Sequence, residues 1–176
     1  MSRILLTGPT ASGKGAVAHR LALKLGGEVV LADSMKIYRE MDIGTAKPPP
    51  ARRAEVGYRL LDILDPREEF SVGEYVRLAH QAVEEIESSG RRAVFCGGTA
   101  LYLSALLGGL FEGPPADWKF RRALLEEARI EGLASLHRRL AQEDPQAAAR
   151  IHPNDERRII RALEVARCTG RPMTEM

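Results

Sequence analysis

The stretch GPTASGKG, at residues 8–15, decides the fold. It follows a short apolar run at residues 3–7 and precedes a helix-favouring run at 16–25 that ends in two glycines. A glycine-rich loop between a strand and a helix turns backbone N–H groups towards an anion, and its lysine adds a mobile positive charge. We therefore predict a phosphate or pyrophosphate site formed by Gly8, Pro9, Thr10, Ala11, Ser12, Gly13, Lys14 and Gly15.

The loop departs from its usual pattern at the last position. A Ser or Thr commonly follows the lysine and binds Mg²⁺ through its hydroxyl, whereas this chain has Gly15. Direct coordination of a metal by this position is therefore lost, and the sequence assigns no metal ligand in its place.

Composition allows one α/β domain with a small appended lobe in 176 residues. The 26 basic and 24 acidic residues nearly balance, so nucleic-acid binding would need local clusters of charge. Cys96 and Cys168 lack the spacing of a disulfide framework or a zinc site. We find no export signal and no membrane span, and expect a cytoplasmic protein.

Two further predicted strands end in polar residues that should lie near the loop, because ligands gather at the carboxyl ends of parallel strands. Asp33 follows the strand at 28–32 and could accept a proton or bind a metal through water; the alternative is a cap of the next turn. Gly97, Gly98 and Thr99 follow the strand at 93–96, and Thr99 could equally cap the next helix.

The rest of the chain is predicted as scaffold. We expect a polar surface crossing at 48–53, a strand at 58–64 and a helix that begins with a capping box at Ser71 and Glu74. From residue 114 onwards only helical patterns occur, with Asp117, Asp144 and Asn154 as caps. The predicted domains are an α/β core at 1–113 and a helical lobe at 114–176.

The basic residues of the predicted lobe cluster towards its end. Arg157 and Arg161 are one helical turn apart, close to Arg150 and Arg158, and could follow a phosphate backbone. The neighbouring Glu156 and Glu164 favour the alternative of a solvated helix face.

Six motifs in order along the chain resemble the signatures of tRNA dimethylallyltransferases. They are GPTASGK at 8–14, DSMKIYR at 33–39, MDIGTAKP at 41–48, FSVGEY at 70–75, GGTALY at 97–102 and RIHPND at 150–155. The resemblance implies a P-loop NTPase-like α/β core with a parallel sheet and an inserted helical lobe that grips the anticodon arm of tRNA.

The family transfers a dimethylallyl group from its diphosphate to N6 of the adenosine on the 3′ side of the anticodon. The resemblance implies that Asp33 is the catalytic base, that Thr99 positions the nucleophile and that Lys14 stabilises the leaving diphosphate, with Mg²⁺ as cofactor. It also implies a monomer. The tRNA-binding positions that it suggests are Asp33, Ser34, Met35, Lys36, Thr99, Arg121, Arg157, Arg158, Ile159, Ile160 and Arg161.

Two other functions stay open. A small-molecule kinase could use the same loop, although no lid pattern of arginines typical of kinases is present. A non-catalytic tRNA-binding remnant is suggested by Gly15 and by the end of the chain at Met176, where family members continue with another core strand and further tRNA contacts. Without that further core strand, a sheet edge and apolar surface would be exposed.

Overall fold

A computed structural model describes residues 3–109 and 113–176. The chain divides into two compact units, Met1–Leu110 and Phe111–Met176. The domain boundary predicted from the sequence lies after residue 113, and the intervening residues 110–112 are outside the described part. Within the described ranges, no helix combines the length and the apolar character needed to span a bilayer.

Within the described residues, the first unit has a parallel sheet of the strands β1 (Ile4–Leu6), β2 (Glu28–Ala32), β3 (Tyr58–Arg59) and β4 (Ala93–Gly97). Their order across the sheet is β1-β4-β2-β3. Ile4 of β1 lies opposite Val94, and Val29 of β2 lies opposite both Val94 and Tyr58. Every residue of β2 and β4 is buried, as expected for a parallel sheet covered on both faces.

Helices cover the two faces of this sheet because successive side chains of a strand point to opposite sides. Val29 and Leu31 belong to the core that includes Ala18, whereas Val30 belongs to the core around Tyr75. The helices of this unit are α1 (Lys14–Leu25), α2 (Pro50–Glu55), α3 (Val72–Ser88) and α4 (Ala100–Gly108). The α/β architecture with a parallel sheet is confirmed.

Local turns explain two departures from the predicted elements. The strand predicted at 58–64 ends at Arg59, because Leu60 and Asp62 have φ values of 60° and 55°. The crossing predicted at 48–53 contains α2, which begins at Pro50, where a helix needs no backbone N–H from its first residue. The capping box of α3 is confirmed, since Ser71 Oγ accepts from the Glu74 N–H and Glu74 from the Ser71 N–H.

Among residues 113–176, the second unit consists of helices and the turns that connect them. Leu136, Leu140, Ile159 and Leu163 are fully buried in its core. The helices are α5 (Trp118–Glu131), α6 (Leu133–Glu143), α7 (Pro145–Arg150) and α8 (Glu156–Thr169), followed by a 3-10 turn at Met173–Glu175.

The helix starts of this unit confirm two predicted caps and correct a third. Asp117 and Asp144 accept hydrogen bonds from the backbone N–H groups of Phe120 and Ala147. The prediction that Asn154 caps the last helix is wrong. Asp155 occupies the cap position and accepts from the Arg158 N–H at 3.2 Å.

Candidate phosphate-binding site

The loop at residues 8–15 joins β1 to α1 in a conformation that only some residues adopt readily. Gly8 and Gly13 have φ values of 147° and 81°, and Ala11 has a φ of 64°. Gly13 is the N-cap of α1 and supplies no side-chain cap, so the first turn of the helix receives no side-chain acceptor from this position. Such a helix start can offer its backbone N–H groups to an anion.

Lys14 lies over its own loop, with Nζ 2.9 Å from the Pro9 carbonyl oxygen. The Gly97-Gly98 segment lies against the same region. A Cβ added to Gly98 would come 3.1 Å from the Gly8 oxygen and 3.7 Å from Lys14 Nζ. A Cβ on Gly97 would come 2.0 Å from the Ala32 oxygen. The two glycines therefore allow the ends of β2 and β4 and the loop to approach closely.

Asp33 follows β2 and uses one carboxylate oxygen as a cap. Its Oδ1 accepts from the N–H groups of Met35 and Lys36 at 2.9 and 3.2 Å. Its Oδ2 lies 3.9 Å from Lys36 Nζ. The capping alternative is therefore confirmed for Oδ1, and Oδ2 is left with a longer contact to an ammonium group.

Thr99 connects the ends of β2 and β4 through its side chain. It occupies the N-cap position of α4 without making a side-chain cap, which differs from the capping alternative. Instead, its Oγ1 accepts from the Ser34 N–H at 3.0 Å and lies 3.3 Å from Ser34 Oγ. Thr99 thus fixes the turn that carries Asp33.

Several of these groups line a cavity of about 340 Å³. The loop from Thr10 to Ala16 forms one side, together with Asp33 and Lys36. An apolar wall comes from Val29, Leu31 and Cys96. The predicted site residues Ser34, Met35 and Thr99 do not line the cavity. The remaining residues of its wall are Thr45, Ala46, Lys47, Pro48, Pro49, Arg52, Tyr58 and Gly97.

Lys47 lies at the centre of a cluster of ion pairs. The sequence places it in the motif at 41–48 but suggests no role for it. Its side chain is 2% exposed, and Nζ lies 2.5 Å from Asp62 Oδ1, 3.0 Å from Asp42 Oδ1 and 2.6 Å from the Tyr38 oxygen. Burial opposes the charge of Lys47, but these carboxylates prevail and raise its pKa. Arg53 also pairs with Asp62 at 2.7 Å. Lys47 therefore holds one wall of the cavity in place.

Tyr58 is a second residue of the cavity that the sequence did not single out. Its hydroxyl lies 3.0 Å from Nδ1 of the buried His19, whose Nε2 lies 3.1 Å from Glu55. Burial raises the pKa of Tyr58, so its hydroxyl stays neutral. This chain of contacts connects α1, α2 and β3 around the cavity.

The residues present fit a protein-bound Mg²⁺ poorly. Of the residues around the cavity, Asp33 is the single carboxylate, and one of its oxygens already accepts two N–H groups. Within the described ranges, no three His, Cys, Asp or Glu side chains cluster as metal ligands. Mg²⁺ prefers oxygen ligands and often takes them from substrate phosphates. The protein itself supplies few.

In the second unit, a buried carboxylate organises the arginines. Glu164 is fully buried and accepts from Arg121 Nε and Nη2 at 2.7 Å each, from the Asp117 N–H at 2.7 Å and from Arg161 Nη1. Burial alone would raise the pKa of Glu164, but the hydrogen bonds from Arg121, Arg161 and the backbone lower it to about 2. Glu164 therefore does not belong to a solvated helix face, whereas Glu156 is exposed.

The predicted tRNA-binding residues of this unit separate into two groups. Ile159 and Ile160 are 0% and 5% exposed and pack in the helical core, so their side chains offer little surface for the predicted contact with tRNA, which stays a prediction. Arg161 also donates to the Pro114 oxygen at 3.0 Å. Arg157 and Arg158 are exposed, and Arg158 lies 3.3 Å from Asp155.

The fold defines a P-loop NTPase-like α/β protein with a glycine-rich loop between β1 and α1. The family model described as IPP transferase matches residues 36–176. The chain therefore belongs to the IPP transferase family.

Named relatives agree with this assignment. The chain is 54% identical over 172 residues to the tRNA dimethylallyltransferase of Geobacter sulfurreducens, and 51% identical over 173 residues to that of Halorhodospira halophila. Both alignments cover 98% of this chain but only 55% and 56% of the relatives. The chain thus spans about half the length of the curated relatives that it matches.

Solved structures extend the comparison. The full-length tRNA isopentenylpyrophosphate transferase of Bacillus halodurans is 43% identical, with a TM-score of 0.62, and the match covers 97% of this chain and 57% of that protein. A eukaryotic dimethylallyltransferase, described as acting on tRNA, is 29% identical with a TM-score of 0.84 over 99% of this chain and 44% of that protein.

Proposed function

We propose that this chain transfers a dimethylallyl group from dimethylallyl diphosphate to N6 of the adenosine on the 3′ side of the tRNA anticodon. The observation that carries the proposal is the arrangement of Asp33, Lys14 and the glycine-rich loop around one cavity. Thr99 supports it by holding the turn after Asp33. The names of the relatives support the same reaction.

The loop and Lys14 would hold the diphosphate of the donor. As the bond between the allylic carbon and the diphosphate oxygen breaks, negative charge gathers on the leaving group. Backbone N–H groups at the start of α1 and the Lys14 ammonium group can stabilise that charge, which accelerates the reaction. Lys14 would exchange its contact with the Pro9 oxygen for contacts with the diphosphate.

Asp33 would accept the proton of the attacking amine. An exocyclic adenine amine is a weak nucleophile, so a carboxylate that takes its proton as the C–N bond forms lowers the barrier. Oδ2 suits this role, because Oδ1 is held by the Met35 and Lys36 N–H groups. Thr99 and Ser34 would fix the direction in which the carboxylate points.

The tRNA would bind through backbone phosphates and a flipped base. The exposed Arg157 and Arg158 offer positive charge to phosphates, and the adenosine must leave its stack to reach a carboxylate in a cavity. Arg121, which lies 4.9 Å from the Trp118 ring centre, would have to act while bound to Glu164. We also propose that the enzyme is cytoplasmic and monomeric. Its cofactor would be Mg²⁺, which the diphosphate and water would hold rather than protein side chains.

Mass analysis of the substrate tests this function. The purified chain is incubated with dimethylallyl diphosphate, Mg²⁺ and an anticodon stem-loop that carries adenosines 3′ of the anticodon. We expect the stem-loop to gain one dimethylallyl group per modified adenosine. A phosphorylated product from a parallel reaction with ATP, with no alkylated base, would contradict the proposal and favour a kinase.

A non-catalytic tRNA-binding protein is the second candidate, and Gly15 is the observation that favours it. This candidate predicts salt-sensitive binding of the stem-loop with no alkylation at any Mg²⁺ concentration. The same reaction mixtures, analysed for both binding and mass, separate the two functions.

A further inference from the structure

We propose that the phosphate loop of this chain binds the donor diphosphate through cationic side chains without a protein ligand to Mg²⁺, so that diphosphate affinity does not rise with Mg²⁺. The inference deepens the proposed function and rests on it, because it takes the donor's diphosphate as the ligand. It concerns whether lysine and arginine side chains or a protein-bound Mg²⁺ neutralise the negative charge of the diphosphate, and the transfer reaction is compatible with either.

Gly15 is the position where a hydroxyl ligand would be expected. It is the second residue of α1, and its φ lies outside the left-handed region that requires glycine. Apart from its two chain neighbours and the backbone of its own helix, a Cβ built on Gly15 would meet no atom of the described residues within 4 Å. Neither backbone conformation nor packing demands glycine here. The consequence of Gly15 is therefore that the first turn of α1 has no hydroxyl at the position that follows Lys14.

The neighbouring carboxylates do not replace that hydroxyl. Asp33 Oδ1 accepts two backbone N–H groups, and Oδ2 faces the Lys36 ammonium group at 3.9 Å. Asp42 and Asp62 are both paired with Lys47. A divalent cation near Asp33 would also be repelled by Lys36.

Positive side chains are instead available around the cavity. Lys14, Lys36 and Arg52 contribute to its wall, in addition to the backbone N–H groups of the loop. Lys36 has a side chain that is 18% exposed, and its contact with Asp33 is long for an ion pair. Lys47 is excluded from this group because two carboxylates and a carbonyl oxygen surround it.

This balance of charge has a measurable consequence. Mg²⁺ bound to a diphosphate in solution reduces the negative charge that lysines can attract, and it gains no ligand from the protein in return. Mg²⁺ should therefore leave affinity unchanged or lower it. A hydroxyl placed at position 15 should reverse that sign, because it would give the cation a direct ligand.

Calorimetric titration of the full chain with inorganic diphosphate tests the inference. Titrations are run in EDTA and in excess Mg²⁺ for the natural chain, for Gly15→Thr and for Gly15→Val. Valine matches the shape of threonine without its hydroxyl, and thermal melts show that each variant folds. Gly15→Ser provides a second hydroxyl if Gly15→Thr melts early.

We expect Mg²⁺ to tighten diphosphate binding by Gly15→Thr at least about tenfold, since even the loss of a residue that only supports a metal ligand lowers metal affinity by about that factor. Mg²⁺ should not tighten diphosphate binding by the natural chain or by Gly15→Val. The inference is overturned if Mg²⁺ tightens binding by the natural chain as strongly as by Gly15→Thr. It is also overturned if Gly15→Thr behaves as Gly15→Val, or if the natural chain binds no diphosphate. These titrations contain no tRNA, so failure of alkyl transfer alone leaves their result intact.

Discussion

Two groups of charged residues, one in each unit of the molecule, serve opposite purposes. In the first unit, the charged groups Lys14, Lys36 and Asp33 make long or backbone contacts around a cavity. In the second, Arg121 and Arg161 are bound to a carboxylate that has no solvent exposure. The charged groups of the first arrangement can still bind a ligand, whereas the arginines of the second stabilise the fold by pairing with Glu164. A motif rich in arginine is therefore not by itself a nucleic-acid site.

The largest expected effect is on catalysis, at Asp33. Asp33→Asn keeps an oxygen that can accept from the Met35 and Lys36 N–H groups but removes the base, so the rate of alkyl transfer should fall by about 10²–10⁴. Single-turnover mass analysis of the stem-loop measures this. Asp65→Asn is the matched control, because Asp65 also accepts a backbone N–H, from Arg67, but lies outside the cavity wall. Equal rates for both variants would contradict the assignment.

Glu164 should have the largest effect on stability. Glu164→Gln leaves Arg121 and Arg161 without their anion in a buried setting, which should lower the free energy of unfolding by about 3–5 kcal/mol. Urea denaturation measures the change. Glu126→Gln breaks an exposed pair with Arg129, which water and salt screen, so it should leave the free energy of unfolding nearly unchanged. Similar losses in both variants would mean that the buried ion pairs of Glu164 contribute no more to stability than an exposed pair.

Acid should destabilise the chain through the same carboxylate. Because the pKa of Glu164 is about 2 in the folded state and near 4.5 in its ordinary range, its contribution is complete above pH 4.5. It is lost as the pH falls from about 4.5 towards 2, as the folded carboxylate takes up a proton. Urea midpoints measured across this range should fall less steeply for Glu164→Gln than for the natural chain. Parallel curves would show that Glu164 is not held at low pKa.

A smaller effect on stability is expected at the glycines after β4. Gly97→Ala places a methyl group 2.0 Å from the Ala32 oxygen, a backbone atom that cannot move aside, and should cost about 1–3 kcal/mol. Gly108→Ala is the control, because the described residues leave open space there and alanine suits a helix better than glycine. Thermal melts compare the two. If Gly97→Ala melted at the same temperature as the natural chain, the ends of β2 and β4 would have to lie farther apart than in this structure.

The smallest expected effect concerns the exposed arginines. Arg157→Gln should weaken stem-loop binding and reduce the slope of log affinity against log salt by about 1, with no loss of stability. Arg129→Gln removes the same charge from α5, where the side chain is 77% exposed and paired with Glu126. Fluorescence anisotropy across a salt series should find a changed slope for Arg157→Gln only. Equal slopes would place the tRNA elsewhere.

The sequence predicted the parts of the molecule that local chemistry determines. The glycine-rich loop, the strand before Asp33 and the capping box at Ser71 each depend on residues within one turn or one strand. The α/β class followed from them, because a strand, a phosphate loop and a helix recur in that fold. The closeness of Gly97 and Gly98 to the loop followed from the rule that strand ends meet.

Long-range pairing explains what the sequence did not reveal. Glu164 meets Asp117 and Arg121, which are 47 and 43 residues away, so its burial has no local signal. Ile159 was assigned to tRNA through resemblance, although its apolar character already favoured the core. Lys47 reaches Asp62 across a turn with positive φ values, which no periodic pattern indicates.

The most direct measurement of the central claim compares diphosphate release with alkylation in one reaction. The donor carries a radioactive diphosphate, and the stem-loop is analysed by mass at each time point. If the loop holds the leaving group while Asp33 takes the proton, one diphosphate is released for each adenosine that gains a dimethylallyl group, and Asp33→Asn slows both together. Release of diphosphate without alkylation of the stem-loop would contradict this account.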